Sequence, residues 1–333
     1  MTSTADSGSC CVIGVDIGGT KVAAGLVDRE GEIGEIVRVP MPANGDAAAG
    51  FQAVTSTLES LLAKATATRN SIRAIGVCAP GPLDPKSGVV INPPNLPGWR
   101  NFPLGSEISR RYLLPVKLDN DANAAALAEV RWGAGRGYSN VFYVTIGTGI
   151  GTGIVIDGRI FHGRTGAAAE GGHVSIDYNG PRCGCGKRGC IEVLASGPAI
   201  VERARTRLAK DPAANPSKIL ELAHGKIDQI TSEIIGQANA EGDPVAGQVL
   251  LDTIELLSVW LGNVIDLLEP DVVIIGGGVA AMLHPFFGEI RARLARWCIN
   301  SRFREIPIVM AHYGANSGIA GAAALCNQES ESA

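Results

Sequence analysis

Between positions 173 and 190 the chain sets one imidazole and three thiols, His173, Cys183, Cys185 and Cys190, with glycines at 184, 186 and 189 among them. Nitrogen and thiolate sulfur are the ligands of structural Zn2+, which closes a tetrahedral shell of four protein groups and leaves no position open to water or substrate. The spacing therefore predicts a loop braced by a structural metal. A free-thiol loop is the alternative, and the close C-x-C…C arrangement with an upstream His argues against it. With one ring nitrogen on the metal, the other nitrogen of His173 is fixed in orientation and available to a polar ligand. Glu170 and Glu192 flank the cluster, so a rigid loop here would aim two carboxylates outward.

A second kind of chemistry is carried by glycine turns. Asp16-Ile-Gly18-Gly19-Thr20-Lys21 places a carboxylate, two glycines, a hydroxyl and an ammonium on one tight turn. Backbone N–H groups unobstructed by Cβ atoms can approach a phosphate closely, Lys21 can offset its charge, and Asp16 can hold a hydrated Mg2+. A plain hairpin needs the same glycines, so the turn alone leaves both readings open. The pattern recurs at Gly147-Thr148-Gly149-Ile150-Gly151, with Gly147 falling on Gly18 and Asp157 on Asp28, which favours phosphate and implies two related lobes. A third turn, Gly276-Gly277-Gly278, is suited to a nucleoside, and no Walker A sequence is present.

Asp119-Asn120-Asp121-Ala122-Asn123 sits where a short strand gives way to a helix. Exposed N–H donors and the positive end of the helix dipole favour anions there. Asp and Asn are also ordinary helix caps, but one residue suffices to cap, and this segment has polar groups left over for acid–base work. Pro80-Gly81-Pro82 and Asn92-Pro-Pro-Asn95-Leu-Pro-Gly98-Trp99 are turn-rich loops that can wall a pocket.

The elements that must position these groups alternate along the chain. Apolar β-branched runs flanking the glycine turns read as strands, joined by further strands at 74–78, 116–118, 272–275 and 308–311. Apolar residues at helical spacing predict helices over 47–66, 124–130, 196–208, 244–268 and 317–325. An α/β architecture follows. The lobes are expected to divide at 121/122, with 122–315 forming the larger one and 316–326 a helix closing back onto the first; residues 1–10 and 327–333 read as loose tails.

Composition narrows the partners. The chain has 333 residues, 46% of them hydrophobic, with 29 Lys plus Arg against 33 Asp plus Glu for a net charge of -4. No basic surplus points to nucleic acid or an anionic membrane surface. No leader and no run near the roughly 20 apolar residues that span a bilayer is expected, so a cytoplasmic protein acting on a small molecule is the expectation. Cys10, Cys11, Cys78, Cys298 and Cys326 are scattered and suggest reduced thiols rather than a disulfide framework.

Taken in order, Asp16-Ile-Gly-Gly-Thr-Lys21, the Pro80-Gly81 loop, Asn95-Leu-Pro-Gly-Trp99, Asn120-Asp121-Ala-Asn123, Gly147-Thr-Gly-Ile-Gly151, Glu170-Gly-Gly-His173 and Cys183 to Glu192 resemble the sugar kinases of the ROK family. The resemblance runs from about Val12 to Leu325. It implies a two-lobed actin-like ATPase (ribonuclease H-like) fold with a structural zinc loop, and ATP with Mg2+ and a hexose in the cleft. Asp121 would be the base that takes the proton of the attacking hydroxyl. Gly81, Asn95, Asn120, Asp121, Glu170, His173 and Glu192 would hold the sugar. Asp16, Gly18, Gly19, Thr20, Lys21, Gly147, Thr148, Gly149, Gly276, Gly277 and Gly278 would hold the nucleotide and its metal. Glucose phosphorylated at the 6-hydroxyl is the expected reaction, N-acetylmannosamine or N-acetylglucosamine the alternative substrates, and a homodimer the expected assembly. ROK repressors share the sugar lobe but add a DNA-binding domain; with the first hairpin starting near Val12, a helix-turn-helix ahead of it is not expected. Two positions depart from the pattern, Thr152 where Gly is frequent and Gly172 where a large apolar residue often precedes the His, and both bear on substrate breadth.

Overall fold

The computed structural model describes residues 11–43, 46–65, 71–96, 98–210 and 217–327. The expected tails at 1–9 and 328–333, with Cys10 and Thr66, lie outside these. Strands β1 (Cys11–Ile17) and β2 (Lys21–Val27) form an antiparallel hairpin, Ile17 opposite Val22, across the Gly18-Gly19 turn. β3 (Ile33–Pro40) adds to the outside of β2, and β4 (Ile72–Ala79) lies parallel to β1 on its other side. After a two-stranded ribbon, β5 (Leu83–Asp84) and β6 (Val89–Val90), β7 (Val116–Asn120) pairs parallel with β4. The sheet order is β3-β2-β1-β4-β7.

A second sheet contains β8 (Val141–Ile146), β9 (Ile150–Ile156), β10 (Arg159–Ile160), β11 (Val272–Gly276) and β12 (Ile308–Met310), in the order β10-β9-β8-β11-β12. Position by position this is the first sheet again: a hairpin, an outer antiparallel strand, then two strands parallel to the first. The repeat in the sequence is thus a repeat of topology. Parallel neighbours require long crossovers, usually helical. Helix α1 (Ala47–Lys64) supplies one in the first copy, and α2 (Leu104–Tyr112) a second. Asp46 starts α1 by accepting from Ala49 N at 2.9 Å, and Val54, Leu58 and Leu61 form its buried stripe in one core cluster with residues of β1, β2 and β4. Each such aliphatic side chain contributes about 1.5–3 kcal/mol on burial. The crossover of the second copy holds α4 (Ile191–Ala195), α5 (Gly197–Lys210), α6 (Lys218–Leu222), α7 (Ser232–Ala240) and α8 (Pro244–Leu268), following α3 (Asp121–Trp132), which precedes β8. After β11 come α9 (Ala280–Leu283) and α10 (Phe287–Arg293), and α11 (Ser317–Leu325) follows β12.

Helix α8 corrects one expectation, because its 25 residues are long and apolar enough to cross a bilayer by length and composition. Its apolar character serves the core instead. Leu250, Ile254, Leu257, Trp260 and Leu261 are buried, while Asp252 and Glu255 pair with Arg207 and Arg293. A helix apolar on most of its faces is what the interior of a large α/β unit requires.

The chain groups into two compact units. Of the described residues, the first takes in those up to Gly137, Gly153–Ala169, and those from Ala315 on; the second comprises those in Tyr138–Thr152 and Glu170–Gly314. A division at 121/122 would separate α3 from the first sheet, whereas α3 continues directly from β7 and packs on α11. Helix α11 lies flush on the sheet backbone. A Cβ on Gly14 of β1 would stand 2.0 Å from Ile319 O, and one on Gly76 of β4 1.7 Å from Ala322 O. Gly321 faces Ala124 of α3 in the same way, at 2.5 Å from its carbonyl carbon. Only residues without side chains at these positions allow the approach.

Candidate active site

In the first unit the parallel strands β1, β4 and β7 stand in register at their C-terminal ends, Asp16 beside Cys78 and Cys78 beside Asp119. Carboxyl ends of parallel strands are where α/β proteins place ligands. Asn120 caps α3, its side chain accepting from Ala122 N at 2.9 Å and from Asn123 N at 3.5 Å. Asp119 is buried, and its Oδ1 accepts from Asn120 N at 2.7 Å and from Asn123 Nδ2 at 3.1 Å. Asp121 is exposed at the first position of the helix, with Oδ1 accepting from Ala122 N at 2.8 Å. The capping work therefore falls on Asn120, and the exposed carboxylate of the segment is that of Asp121.

Around this turn the expected residues gather unequally. A Cβ on Gly81 would lie 3.5 Å from Asn120 Nδ2, and one on Gly19 3.0 Å from the carbonyl oxygen of Asn95, so Gly81 adjoins Asn120 and Asn95 adjoins the first glycine turn. Thr20 and Lys21 are exposed beyond it. Burial raises the Asp16 carboxyl above its ordinary value, with the Cys78 thiol, Lys21 and Arg38 pulling against that. Cys78 Sγ lies 3.5 Å from Asp16 Oδ1 and 3.3 Å from Gly318 O. Burial, then Asp16, Asp121 and Asp119, push this thiol well above its usual value, so it is a neutral packing group next to three carboxylates.

One partner was not legible in the sequence. His162, which follows β10, brings Nε2 to 2.6 Å from Asp119 Oδ2. No local pattern signals this pairing, because the two residues stand 43 positions apart.

In the second unit the four metal-ligand atoms of His173, Cys183, Cys185 and Cys190 lie within 4.8 Å of one another. Cys183 Sγ is 3.5 Å from His173 Nδ1, and Cys185 Sγ is 3.7 Å from Cys190 Sγ. Tetrahedral zinc with the usual Zn–S and Zn–N bonds separates its ligands by roughly 3.5–3.8 Å, so the donor set and its spacing fit that ion. Burial with Cys185 and Cys183 alongside pushes the Cys190 thiol up to about 12, whereas the backbone N–H of Lys187 lowers Cys185. A bound cation would stabilise the three sulfurs as thiolates at this spacing. His173 ends the 3-10 turn Gly171–His173, begun by Glu170, and Glu192 sits in the first turn of α4. Glu192 Oε2 accepts from Ile150 N at 3.1 Å and occupies the space over Gly149. The carboxylate beside the metal loop is thus tied to the start of β9.

The glycine turns of this unit differ from expectation in detail. A cavity of about 750 Å3 is lined by Gly147, Thr148, Gly197, Gly278 and Val279, with Glu202, Arg205, Thr231, Ser232 and Glu233 around it. A smaller one of about 350 Å3 shares Ser232, Glu233, Gly278 and Val279 and adds Asn239, Met282 and Phe286. Of Gly276, Gly277 and Gly278, Gly278 faces the cavity. Gly277, with φ at +91°, is required by packing, since a Cβ there would stand 2.4 Å from Ile146 O. The walls from α5 and α7 carry no motif and were not foreseen. Gly172 likewise has no room for a side chain, a Cβ there lying 1.9 Å from Ile150 O, so a large apolar residue at 172 is incompatible with this backbone.

A duplicated α/β fold with mixed sheets, glycine turns at its strand ends and a Cys3His cluster defines the class. The family model described as ROK family matches residues 12–329, and the chain belongs to that family. It is 36% identical over 321 residues to the glucokinase of Streptomyces coelicolor, covering 95% of this chain and 97% of that protein. It is 32% identical to the N-acetylmannosamine kinase of Citrobacter koseri, covering 94% of this chain and 97% of that protein. Among solved structures, a ROK family glucokinase from Streptomyces griseus in complex with glucose and AMPPNP superposes with a TM-score of 0.81 at 37% identity, covering 95% of this chain and 98% of that one.

Proposed function

We propose that this chain is an ATP-dependent hexose kinase that phosphorylates glucose at its 6-hydroxyl, with Asp121 as the general base. The observation that carries the reading is the exposed Asp121 carboxylate at the first position of α3, next to the Asn120 cap and the end of β7. In the reaction the sugar oxygen bonds to the terminal phosphorus of ATP, the bridging P–O bond breaks, ADP leaves, and Asp121 takes the hydroxyl proton. Such transfer depends chiefly on positioning and charge neutralisation. Gly81, Asn95, Asn120, Glu170, His173 and Glu192 hold sugar hydroxyls. Gly18, Gly19, Thr20, Lys21, Gly147, Thr148 and Gly149 serve the phosphates, and the cavity bordered by Gly278 takes the nucleoside. Asp16 holds a hydrated Mg2+, which supplies charge neutralisation at the phosphates when bound. Zn2+ on His173, Cys183, Cys185 and Cys190 shapes the loop and orients His173.

Glucose rests on the similarity to the Streptomyces proteins, one crystallised with glucose and AMPPNP. N-acetylmannosamine is the second reading, favoured by the Citrobacter relative. ADP release across a panel of hexoses and N-acetylhexosamines decides between them: kcat/KM highest for glucose supports the first, and a clear preference for N-acetylmannosamine replaces it. The reading extends to a cytoplasmic homodimer that binds no nucleic acid, and sedimentation as a monomer at micromolar concentration counts against the dimer.

A further inference from the structure

Strand β9 does more than connect a turn to a sheet. Thr152 on this strand is 4% exposed, and its Oγ1 accepts from Gly171 N at 2.9 Å. Gly171 opens the 3-10 turn that ends at His173, and Glu170 before it makes no side-chain cap, so an N–H of the turn that lacks a local acceptor is served from β9. The fit is also steric. A Cβ on Gly171 would meet Thr152 Oγ1 at 2.6 Å, Cγ2 at 3.0 Å and Cβ at 3.3 Å, and these are its three nearest neighbours. The threonine therefore fills the volume that a side chain at 171 would need. Two residues earlier on the same strand, Ile150 donates its N–H to Glu192. A single strand thus holds the backbone next to Glu170 and the carboxylate of Glu192, the two residues that flank the metal loop.

We propose that Thr152 is a positioning and specificity-determining residue: its hydroxyl and the bare Gly171 together set how far Glu170 and His173 reach toward the sugar. The proposal rests on the reading of Glu170 and His173 as sugar-binding groups. A hydrogen bond lost from a buried site weakens the state it supports by about tenfold. Thr152→Val, which keeps the volume and removes the acceptor, should raise the sugar KM about tenfold while kcat, the ATP KM and the zinc content stay within twofold of wild type. Thr152→Ser should restore the sugar KM to within about twofold. Gly171→Ala should raise the sugar KM at least tenfold in the wild-type background and at most twofold in Thr152→Gly, where the obstructing atoms are gone. Equal sugar KM for the Val and Ser variants, or an equal cost of Gly171→Ala in both backgrounds, overturns the proposal. Glu170→Gln separates the two possible failures. An unchanged sugar KM there defeats the sugar-site reading itself, whereas a raised one beside inert Thr152 variants defeats the positioning role alone.

Discussion

The two halves of the duplication share a strand order and differ in what stands at their strand ends. In the first copy Asp16 stands one residue before the end of β1, Lys21 starts β2, and Asp119 and Asn120 end β7 just ahead of Asp121, with His162 on the buried Asp119. In the second copy the positions matching Asp16 and Lys21 are Thr145 and Ile150, and β12 is followed by Ala311, His312 and Tyr313 with no carboxylate. What the second copy has is room and rigidity: a cavity of about 750 Å3 and the Cys3His loop. On the proposed reading one fold carries two kinds of work, charge chemistry in one copy and ligand housing in the other. The difference lies in a handful of side chains on an unchanged backbone plan.

The contrast breaks first at Asp121. Asp121→Asn should lower kcat by roughly 10²–10⁴-fold with an unchanged circular dichroism spectrum; near-normal turnover would remove the base from the first copy. Next comes the metal loop. Cys185→Ser should release Zn2+, measured by metal analysis, and weaken sugar binding by about tenfold or more, since the loop that carries His173 loses its brace. Full sugar affinity in the zinc-free variant would make the second copy's rigidity irrelevant to its ligand. His162→Gln should lower kcat about tenfold with little change in either KM, and cost about 1–3 kcal/mol of stability by leaving buried Asp119 short of a partner; unchanged turnover would confine the pair to a structural role.

The smallest effect sharpens the comparison by pH. The folded-state carboxyl of Asp16 titrates above its ordinary value, so the native state resists the ionised form, and wild type loses stability relative to an uncharged variant as pH rises through and beyond the usual carboxylate range. Without Mg2+ or nucleotide, Asp16→Asn should therefore melt higher than wild type by about 1–2 °C at neutral pH, with the gap closing below the ordinary Asp value. Thr145→Ala at the matching place should show no such pH-dependent gap.

The parts legible in the sequence were those written locally. β-Branched runs on either side of Gly18-Gly19 and Gly147–Gly149 announced two hairpins, and the spacing of Cys183, Cys185 and Cys190 announced the cluster. Helix α8 was bounded as expected because Asp243 and Pro244 start it with an ordinary cap. Strand β3 escaped notice because its alternation is that of a partly exposed edge, and α3 begins at Asp121 rather than 124 because Asn120 is the cap. The pairing of His162 with Asp119 and the α5 and α7 walls of the cavity depend on residues far apart in sequence, which no local period encodes. The close approach of Gly277 to Ile146 is likewise a tertiary contact that the glycine turn alone does not reveal.

The flush seat of α11 on Gly14 and Gly76 has a consequence for synthesis. During translation the opening strands leave the ribosome long before residues 317–325 do, yet that final segment covers much of one face of their sheet, beside Trp132 of α3. Val12, Ala23 and Val27 wait for Ile319 and Ala323 to bury them. The earliest-made unit is thus the one completed last, and until then its bare backbone face is a natural place for a chaperone to hold a nascent chain.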